Sequence, residues 1–308
     1  MNNTALVFPG QGSQYQGMCK DILNSFDFAK IFFDKASNYF EKDLFNYCIN
    51  GSSEDLASTD IAQPSIFIHS IILDKILKDN NVKISAVAGH SLGEYSALVS
   101  CGALTFDDCL KILKIRCQEM QIANTNNEGG MLAIINEDIK LIEQICNKFS
   151  KTVIANINSH NQIIVSGPIS ELDKSIKLFK NNNIKKIIKL NVSGAFHSPL
   201  MEEANLSLHK VINSVNFNDT NTAIYQNVSP IQNFKGEKIK KNLLKQLTGS
   251  VLWYDTIINM EKNNIDTIIE VGPKQILSKL VKKICPEIKI ISLDKFSDLL
   301  PNGFRIYS

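Results

Sequence analysis

The stretch Ala86-Val87-Ala88-Gly89-His90-Ser91-Leu92-Gly93-Glu94-Tyr95-Ser96-Ala97-Leu98-Val99 passes from a short strand of small apolar residues straight into a helix-forming segment, with a serine at the junction. Glycines stand two positions before and two positions after that serine. A strand-to-helix turn this sharp leaves no room for a Cβ at either flanking position, so Gly89-x-Ser91-x-Gly93 reads here as a nucleophile elbow. The turn lifts the Ser91 hydroxyl above the end of a sheet and aims the N–H of Leu92, at the start of the new helix, toward a developing oxyanion. Five residues match such a pattern by chance often enough that the flanking strand and helix are what give it weight.

Working outward, residues 4–8 (Thr-Ala-Leu-Val-Phe) read as a buried strand, broken by Pro9-Gly10-Gln11-Gly12-Ser13-Gln14. That loop lacks the Lys-Ser/Thr ending of a phosphate loop, and its glycine spacing does not fit the dinucleotide fingerprint. Gln63-Pro64 leads into an apolar helical run over 65–77. Residues 131–192 have their own rhythm: strand 131–135, helix 138–149, strands 153–158 and 163–166, helix 171–181, strand 186–192. The order is βαββαβ, the ferredoxin-like pattern, and the polar stretch Asn124-Thr125-Asn126-Asn127-Glu128-Gly129-Gly130 reads as the joint before an inserted subdomain. Strand candidates at 222–225, 267–271 and 289–293 then resume an α/β alternation, so a parallel sheet is expected to continue past the insertion. Residues 294–308 show no clear period and read as a loose tail.

The 308 residues suggest about two domains, and 44% hydrophobic with 21% charged residues is ordinary for a globular protein. With 33 basic and 31 acidic residues the net charge is +2, which offers no bulk footprint for nucleic acid or an anionic membrane. The seven cysteines are odd in number, with no C-x-x-C pair or zinc spacing, so neither a disulfide framework nor a structural metal is expected. A reducing, cytoplasmic setting fits. Neither a secretory signal nor an apolar run of membrane-spanning length is visible.

A serine nucleophile needs a base, and the chain has five histidines. His69 lies in an apolar helical run and reads as a core residue. His90 adjoins Ser91, but neighbouring side chains in an extended stretch diverge, so it is expected to point away. His160 sits in a polar turn and His209 in an amphipathic helix. His197 differs, because it follows the last strand of the insertion in the break Ser193-Gly194-Ala195-Phe196-His197-Ser198-Pro199, and active-site groups of open α/β folds gather at strand ends. Position singles it out without deciding the matter. No carboxylate between Ser91 and His197 is persuasive as a third triad member: Asp173 falls in a helix of the insertion and Asp219 follows His197. The missing acid argues against an ordinary esterase. Arg116, in Lys111-Ile112-Leu113-Lys114-Ile115-Arg116-Cys117, reads by itself as one cation on a solvated helix face.

Taken together, Phe8-Pro9-Gly10-Gln11-Gly12-Ser13-Gln14, the elbow Gly89 to Ala97, Arg116, Gly194-Ala195-Phe196-His197-Ser198-Pro199-Leu200-Met201 and Glu270-Val271-Gly272-Pro273 resemble the malonyl-CoA:acyl carrier protein transacylases, in order and over nearly the whole chain. The resemblance implies Ser91 as acyl-accepting nucleophile and His197 as its base. The backbone N–H groups of Gln11 and Leu92 would form the oxyanion hole, and the main-chain carbonyl of Gln246 would orient His197 in place of a carboxylate. Arg116 would bind the free carboxylate of a malonyl unit, which suits a planar guanidinium fork. Asn158 and Gln63 match pocket-lining positions. One departure stands out: the family often has Asn-Pro before Val-x-Trp, where this chain has Gly249-Ser250 before Val251-Leu252-Trp253.

The expected fold is therefore α/β: a hydrolase-like core with a parallel sheet, residues 1–127 and 195–308, carrying a ferredoxin-like subdomain over 128–194. The expected reaction is malonyl transfer from malonyl-CoA to the phosphopantetheine thiol of an acyl carrier protein for fatty acid biosynthesis, by a monomer with no metal or bound cofactor. A stand-alone acyltransferase serving a polyketide synthase would share every motif. A serine thioesterase or lipase would have no use for Arg116, and a catalytically dead scaffold would not need the whole set. Lysine clusters at Lys185, Lys186 and Lys189, at Lys238, Lys240, Lys241 and Lys245, and at Lys279, Lys282 and Lys283 are candidates for docking an acidic carrier, the first two ranking ahead of the third.

Overall fold

Apolar runs become the centre of a six-stranded sheet in the computed structural model, which describes residues 3–299. Strand β1 (Thr4–Phe8) pairs in parallel with β2 (Ala86–Gly89) on one side and β9 (Thr267–Val271) on the other. Outward lie β10 (Lys289–Leu293) and β7 (Ala223–Gln226), also parallel, and every residue of β1, β2, β7 and β9 is buried. A sheet covered on both faces needs such continuous apolar runs. The last strand, β8 (Ser229–Asn233), is antiparallel to β7 and was not expected. It carries Pro230, which an edge strand tolerates and an inner strand does not.

Helices α1 (Lys20–Ser25), α2 (Asp27–Phe40), α3 (Leu44–Asn50) and α4 (Thr59–Asp79) follow β1. The apolar run of 65–77 lies in α4, but the helix begins at Thr59 and takes Pro64 into its interior. A helix-interior proline costs roughly 3 kcal/mol. Burial of nearly every residue from Thr59 to Leu77 outweighs that cost. After β2 come α5 (Gly93–Ser100) and α6 (Phe106–Asn126).

A separate four-stranded antiparallel sheet follows, formed by β3 (Gly129–Ile135), β4 (Val153–Ser159), β5 (Gln162–Pro168) and β6 (Ile187–Lys189) in the order β4-β5-β3-β6. Helices α7 (Ile139–Cys146) and α8 (Ile169–Asn181) pack on it around Leu132, Val165 and Phe179. Two expectations need correction here. Helix α7 stops at Cys146, short of Phe149, and β6 covers three residues of the expected 186–192. As the edge strand, β6 pairs with Leu132, Ala133 and Ile134 and then peels away, which frees Asn191, Val192 and Ser193 to line the cleft.

Helices α9 (Glu202–Ser214), α10 (Gly236–Leu243), α11 (Trp253–Lys262) and α12 (Leu277–Ile284) complete the covering of the large sheet. The two sheets meet where the Gly249-Ser250-Val251 segment runs along β4: Val251 N–H donates to Ala155 O at 2.8 Å, Ile157 N–H to Val251 O at 2.9 Å, and Ser250 Oγ to Ile154 O at 2.6 Å. The expected loose tail is also corrected in part. Asp294 accepts from the Tyr15 hydroxyl at 2.9 Å, and α13 (Phe296–Leu299) buries Leu299, while 300–308 lie outside the described residues.

Candidate active site

Ser91 sits between β2 and α5 with φ +51, a left-handed conformation that a non-glycine residue adopts at a cost on the order of 1–3 kcal/mol. The flanking glycines are obligatory: a Cβ at Gly89 would stand 1.9 Å from the backbone of Gly93, and one at Gly93 would stand 1.9 Å from Phe8 O. Asn227, just past the end of β7, holds the turn from beneath. Its Oδ1 accepts from Ser91 N–H at 2.8 Å and its Nδ2 donates to Gly89 O at 2.6 Å. Asn227 N–H in turn donates to Glu94 Oε2 at 2.8 Å, and Gln226 Nε2 donates to Glu94 Oε1 at 3.1 Å. Burial pushes the Glu94 carboxyl up to about 7, against the pull of those two donors.

His197 Nε2 lies 2.8 Å from Ser91 Oγ. On the other side of the ring, Nδ1 faces two carbonyl oxygens, Gln246 O at 3.0 Å and Gly249 O at 3.1 Å. Carbonyls only accept, so Nδ1 carries the proton and Nε2 presents its lone pair to the serine hydroxyl. The main-chain carbonyl of Gly249 is thus a second acceptor for His197. Gln246 also ties the two reacting residues together, because its side-chain amide donates to Ser91 O at 2.9 Å. Burial first, and then the nearby Arg116 charge, push His197 down to about 3, with the Gln246 carbonyl opposing both. The imidazole is therefore neutral and ready to accept a proton at neutral pH.

Arg116 is not on a solvated face: it is 1% exposed, on the side of α6 that faces the cleft. One terminal nitrogen donates to Gln63 Oε1 at 2.5 Å, the other to Ser91 Oγ at 3.3 Å, and the guanidinium lies 5.4 Å from the Tyr95 ring centroid. Among the described residues, no acidic side chain forms an ion pair with it. A buried cation without a protein anion is costly unless a ligand supplies the counter-charge. Gln63 extends the network by donating from Nε2 to Gln11 Oε1 at 3.2 Å. The N–H groups of Gln11 and Leu92 both belong to residues lining the cavity, and among the described residues neither is taken by a protein acceptor.

These groups open into one cavity of about 660 Å³ between the two sheets. Asn158 lines it from β4 and pairs through Oδ1 with His90 Nε2 at 2.8 Å. His90 makes no hydrogen bond to Ser91, as its divergence implies, yet it lines the cavity with its ring 5.7 Å from that of Trp253. The remaining histidines lie elsewhere: His69 Nε2 meets Asp294 O at 2.7 Å, His209 Nε2 meets Leu244 O at 2.6 Å, and exposed His160 meets the Tyr254 ring edge-on. Lys189 is paired with Asp173 and Lys241 with Glu237, whereas Lys283, from the third cluster, lines the cavity. Sequence reasoning passed over Asn227, Glu94 and the Gly249 carbonyl. Asn227 could have been flagged by its place directly after a strand of the parallel sheet.

A nucleophile, a tautomer-fixed base, two free N–H donors and a buried cation within reach of one another can carry out acyl transfer through a serine ester. The acyl transferase domain family model matches residues 5–292. A malonyl CoA-acyl carrier protein transacylase of Bacillus subtilis (strain 168) is 35% identical over 297 residues, covering 95% of this chain and 94% of the relative. The crystal structure of an acyl carrier protein S-malonyltransferase from Vibrio cholerae superposes with a TM-score of 0.93 at 30% identity, covering 98% of this chain and 100% of that one. A malonyl-transacylase solved in complex with its type II PKS acyl-carrier protein gives a TM-score of 0.92 at 29% identity, covering 97% and 98% of the two chains. The chain belongs to the acyl transferase domain family and, within it, to the malonyl CoA-acyl carrier protein transacylases.

Proposed function

We propose that the protein transfers a malonyl group from malonyl-CoA to the phosphopantetheine thiol of an acyl carrier protein, in the service of fatty acid biosynthesis. The observation that carries this reading is Arg116: a buried guanidinium that makes no ion pair among the described residues, 3.3 Å from the Ser91 hydroxyl, calls for an acyl group that ends in a carboxylate. An acetyl or long-chain acyl unit would leave that charge unpaired.

Ser91 Oγ attacks the thioester carbonyl while its proton passes to His197 Nε2, and the negative charge on the carbonyl oxygen is received by the N–H groups of Gln11 and Leu92. Collapse of the tetrahedral intermediate breaks the C–S bond, and His197 returns the proton to the departing CoA thiolate. In the second half-reaction His197 takes the proton of the carrier thiol, the thiolate attacks the serine ester, and the proton goes back to Ser91 Oγ. The malonyl carboxylate on Arg116 holds the acyl group in place through both steps. No step calls for a metal or a bound cofactor.

The same reading treats residues 1–127 and 195–308 as a hydrolase-like core and 128–194 as an inserted ferredoxin-like subdomain, acting as a cytoplasmic monomer. The strand order of the small sheet and the elbow at the end of β2 support the division into core and insertion. A polyketide carrier as acceptor is favoured by one observation, the structural relative solved with its type II PKS carrier. Rates with the two kinds of carrier separate those alternatives.

Intact-mass measurement after brief mixing with malonyl-CoA tests the core of the proposal. The protein is expected to gain one malonyl group on Ser91, to lose it on adding a holo carrier protein, and to gain nothing as Ser91→Ala. A malonyl adduct on any other residue, or turnover to water alone, would sink it.

A further inference from the structure

A buried acid stands behind the Ser91–His197 pair without touching it. Glu94 is 0% exposed, sits in the first turn of α5 three residues after Ser91, and does not line the cavity. An acidic side chain at that place ordinarily serves the free N–H groups of its own helix. Here no side chain caps α5, and the Glu94 carboxylate is spent instead on Gln226 and Asn227, at and just past the end of β7. Among the described residues it makes no ion pair. A carboxylate taken out of water without a cation is costly unless its oxygens are met by donors.

The donors that meet it are the groups that hold the reacting pair. Asn227 N–H donates to Oε2 at 2.8 Å, Gln226 Nε2 donates to Oε1 at 3.1 Å, and the Gln246 amide faces the same carboxylate. All three are donors, so the place is built for an acceptor. With its main chain fixed in this way, Asn227 directs Oδ1 to Ser91 N–H and Nδ2 to Gly89 O. Its own carbonyl accepts from Leu252 N–H at 2.9 Å, next to the segment that presents the Gly249 carbonyl to His197. Gln246 serves both reactants at once, its amide nitrogen donating to Ser91 O and its carbonyl accepting from His197 Nδ1–H. Gln246 Oε1 is buried with no hydrogen-bond partner among the described residues, so what its nitrogen reaches sets the orientation of the amide. Gln226 is braced from α10, by Asn242 Nδ2 at 2.9 Å and Ile239 O at 3.0 Å.

A serine triad places its carboxylate directly on the histidine. This chain has carbonyl oxygens there and keeps its acid one residue further back. Resting on the acyl-transfer reading of Ser91 and His197, we propose that Glu94 is a positioning residue of the reaction: its buried carboxylate fixes Asn227 and Gln246, and through them holds the Ser91 elbow and the His197 ring in register for proton transfer. Glu94 binds no substrate, so its contribution falls on the chemical steps and not on affinity.

The test measures kcat and KM for malonyl-CoA and for holo carrier protein, with the rate at which phenylmethanesulfonyl fluoride modifies Ser91. In that last reaction Ser91 Oγ bonds to sulfur, its proton passes to His197 and fluoride leaves, so the pair is read with no acyl group present. Glu94→Gln keeps the shape but sets an amide N–H against donors, and Glu94→Asp keeps the charge but draws it back by one methylene. Both are expected to lower kcat in the two half-reactions and the sulfonylation rate by one common factor, about ten- to hundredfold, with KM nearly constant. In a background of Asn227→Ala with Gln246→Ala, Glu94→Gln should cost less than about threefold further, because the groups it acts through are gone. Asp74, a buried acid that binds Ser100 at the far end of α5 at 2.6 Å, is the structural control. Asp74→Asn should lower the melting temperature and leave kcat as in wild type. Full kcat in Glu94→Gln or in Glu94→Asp, a loss confined to KM, or losses that simply add in the combined variant would overturn the assignment. A wild-type protein that is sulfonylated at Ser91 yet takes up no malonyl group would sink the malonyl reading instead, with the ratio of sulfonylation rates still deciding the role of Glu94.

Discussion

On the large-sheet wall of the cleft Ser91 is gripped from both sides of its backbone, by Asn227 at its N–H and by Gln246 at its carbonyl, while the same Gln246 and Gly249 fix His197. On the small-sheet wall Asn158 is held by one good hydrogen bond to His90 and a longer one of 3.4 Å to Gln162, and the chain leaves β6 after three residues to line the cleft as an exposed strap. The first wall stores strain and constrains a proton path. The second wall is loosely tied and offers surface. Preorganisation is worth most where charge develops and bonds break, and worth less where a flexible arm is merely guided.

Substitutions on the two walls should therefore differ in kind as well as size. The largest effect is expected at His197: His197→Ala should slow both acylation by malonyl-CoA and transfer to carrier by a factor on the order of 10² to 10⁴. Burst-phase quench-flow measures the two steps separately, and a loss under about threefold in both would move the base elsewhere.

Arg116 comes next. Arg116→Ala should cut the preference for malonyl-CoA over acetyl-CoA by about ten- to hundredfold, the range of a hydrogen bond to a charged group. Arg116→Lys should not restore it, since an ammonium cannot replace the fork. The pH profile gives a second reading of the same residue. His197 must be neutral to act, so the acylation rate is lost as pH falls through its pKa, which burial and Arg116 hold at about 3. Removing Arg116 deletes a positive charge that lowers this pKa, so the acid limb should move to higher pH. A limb that stays put or moves down contradicts the placement of that charge beside the base.

Asn227→Ala removes the clamp under the strained serine without touching substrate. With roughly 1–3 kcal/mol of backbone strain at stake, kcat should fall by about five- to hundredfold while KM stays nearly constant. Matching losses in kcat and KM would make Asn227 part of the binding surface. The smallest change is expected on the opposite wall, where Asn158→Ala should raise KM for malonyl-CoA by about two- to fivefold and leave kcat alone. A kcat effect there as large as that of Asn227→Ala would erase the contrast between the walls.

Much of this was open to reading before any coordinates. The elbow is a local feature: Gly89, Ser91 and Gly93 constrain one another over five residues, so their spacing carries the geometry. The central strands β1, β2, β7, β9 and β10 announced themselves as apolar runs between turns, and the alternation over 131–192 reported the small sheet. Less was legible at element ends. Helix α4 begins five residues upstream of its Pro64, and β6 ends early although its partner β3 runs on to Gly129, because the chain peels away to line the cleft.

Sequence alone, then, determined the serine, its turn, the class of fold and the order of the motifs, because each depends on residues close together in the chain. Tertiary structure alone decided where Arg116 and Asn227 stand relative to Ser91. Arg116 lies 25 residues from Ser91 and Asn227 lies 136, and in isolation an arginine on a helix and an asparagine after a strand are ordinary surface groups. Burial inverts their meaning. A cation in water is solvated and carries no information, whereas the same cation enclosed at 1% exposure, with no ion-pair partner among the described residues, calls for a ligand that brings a counter-charge.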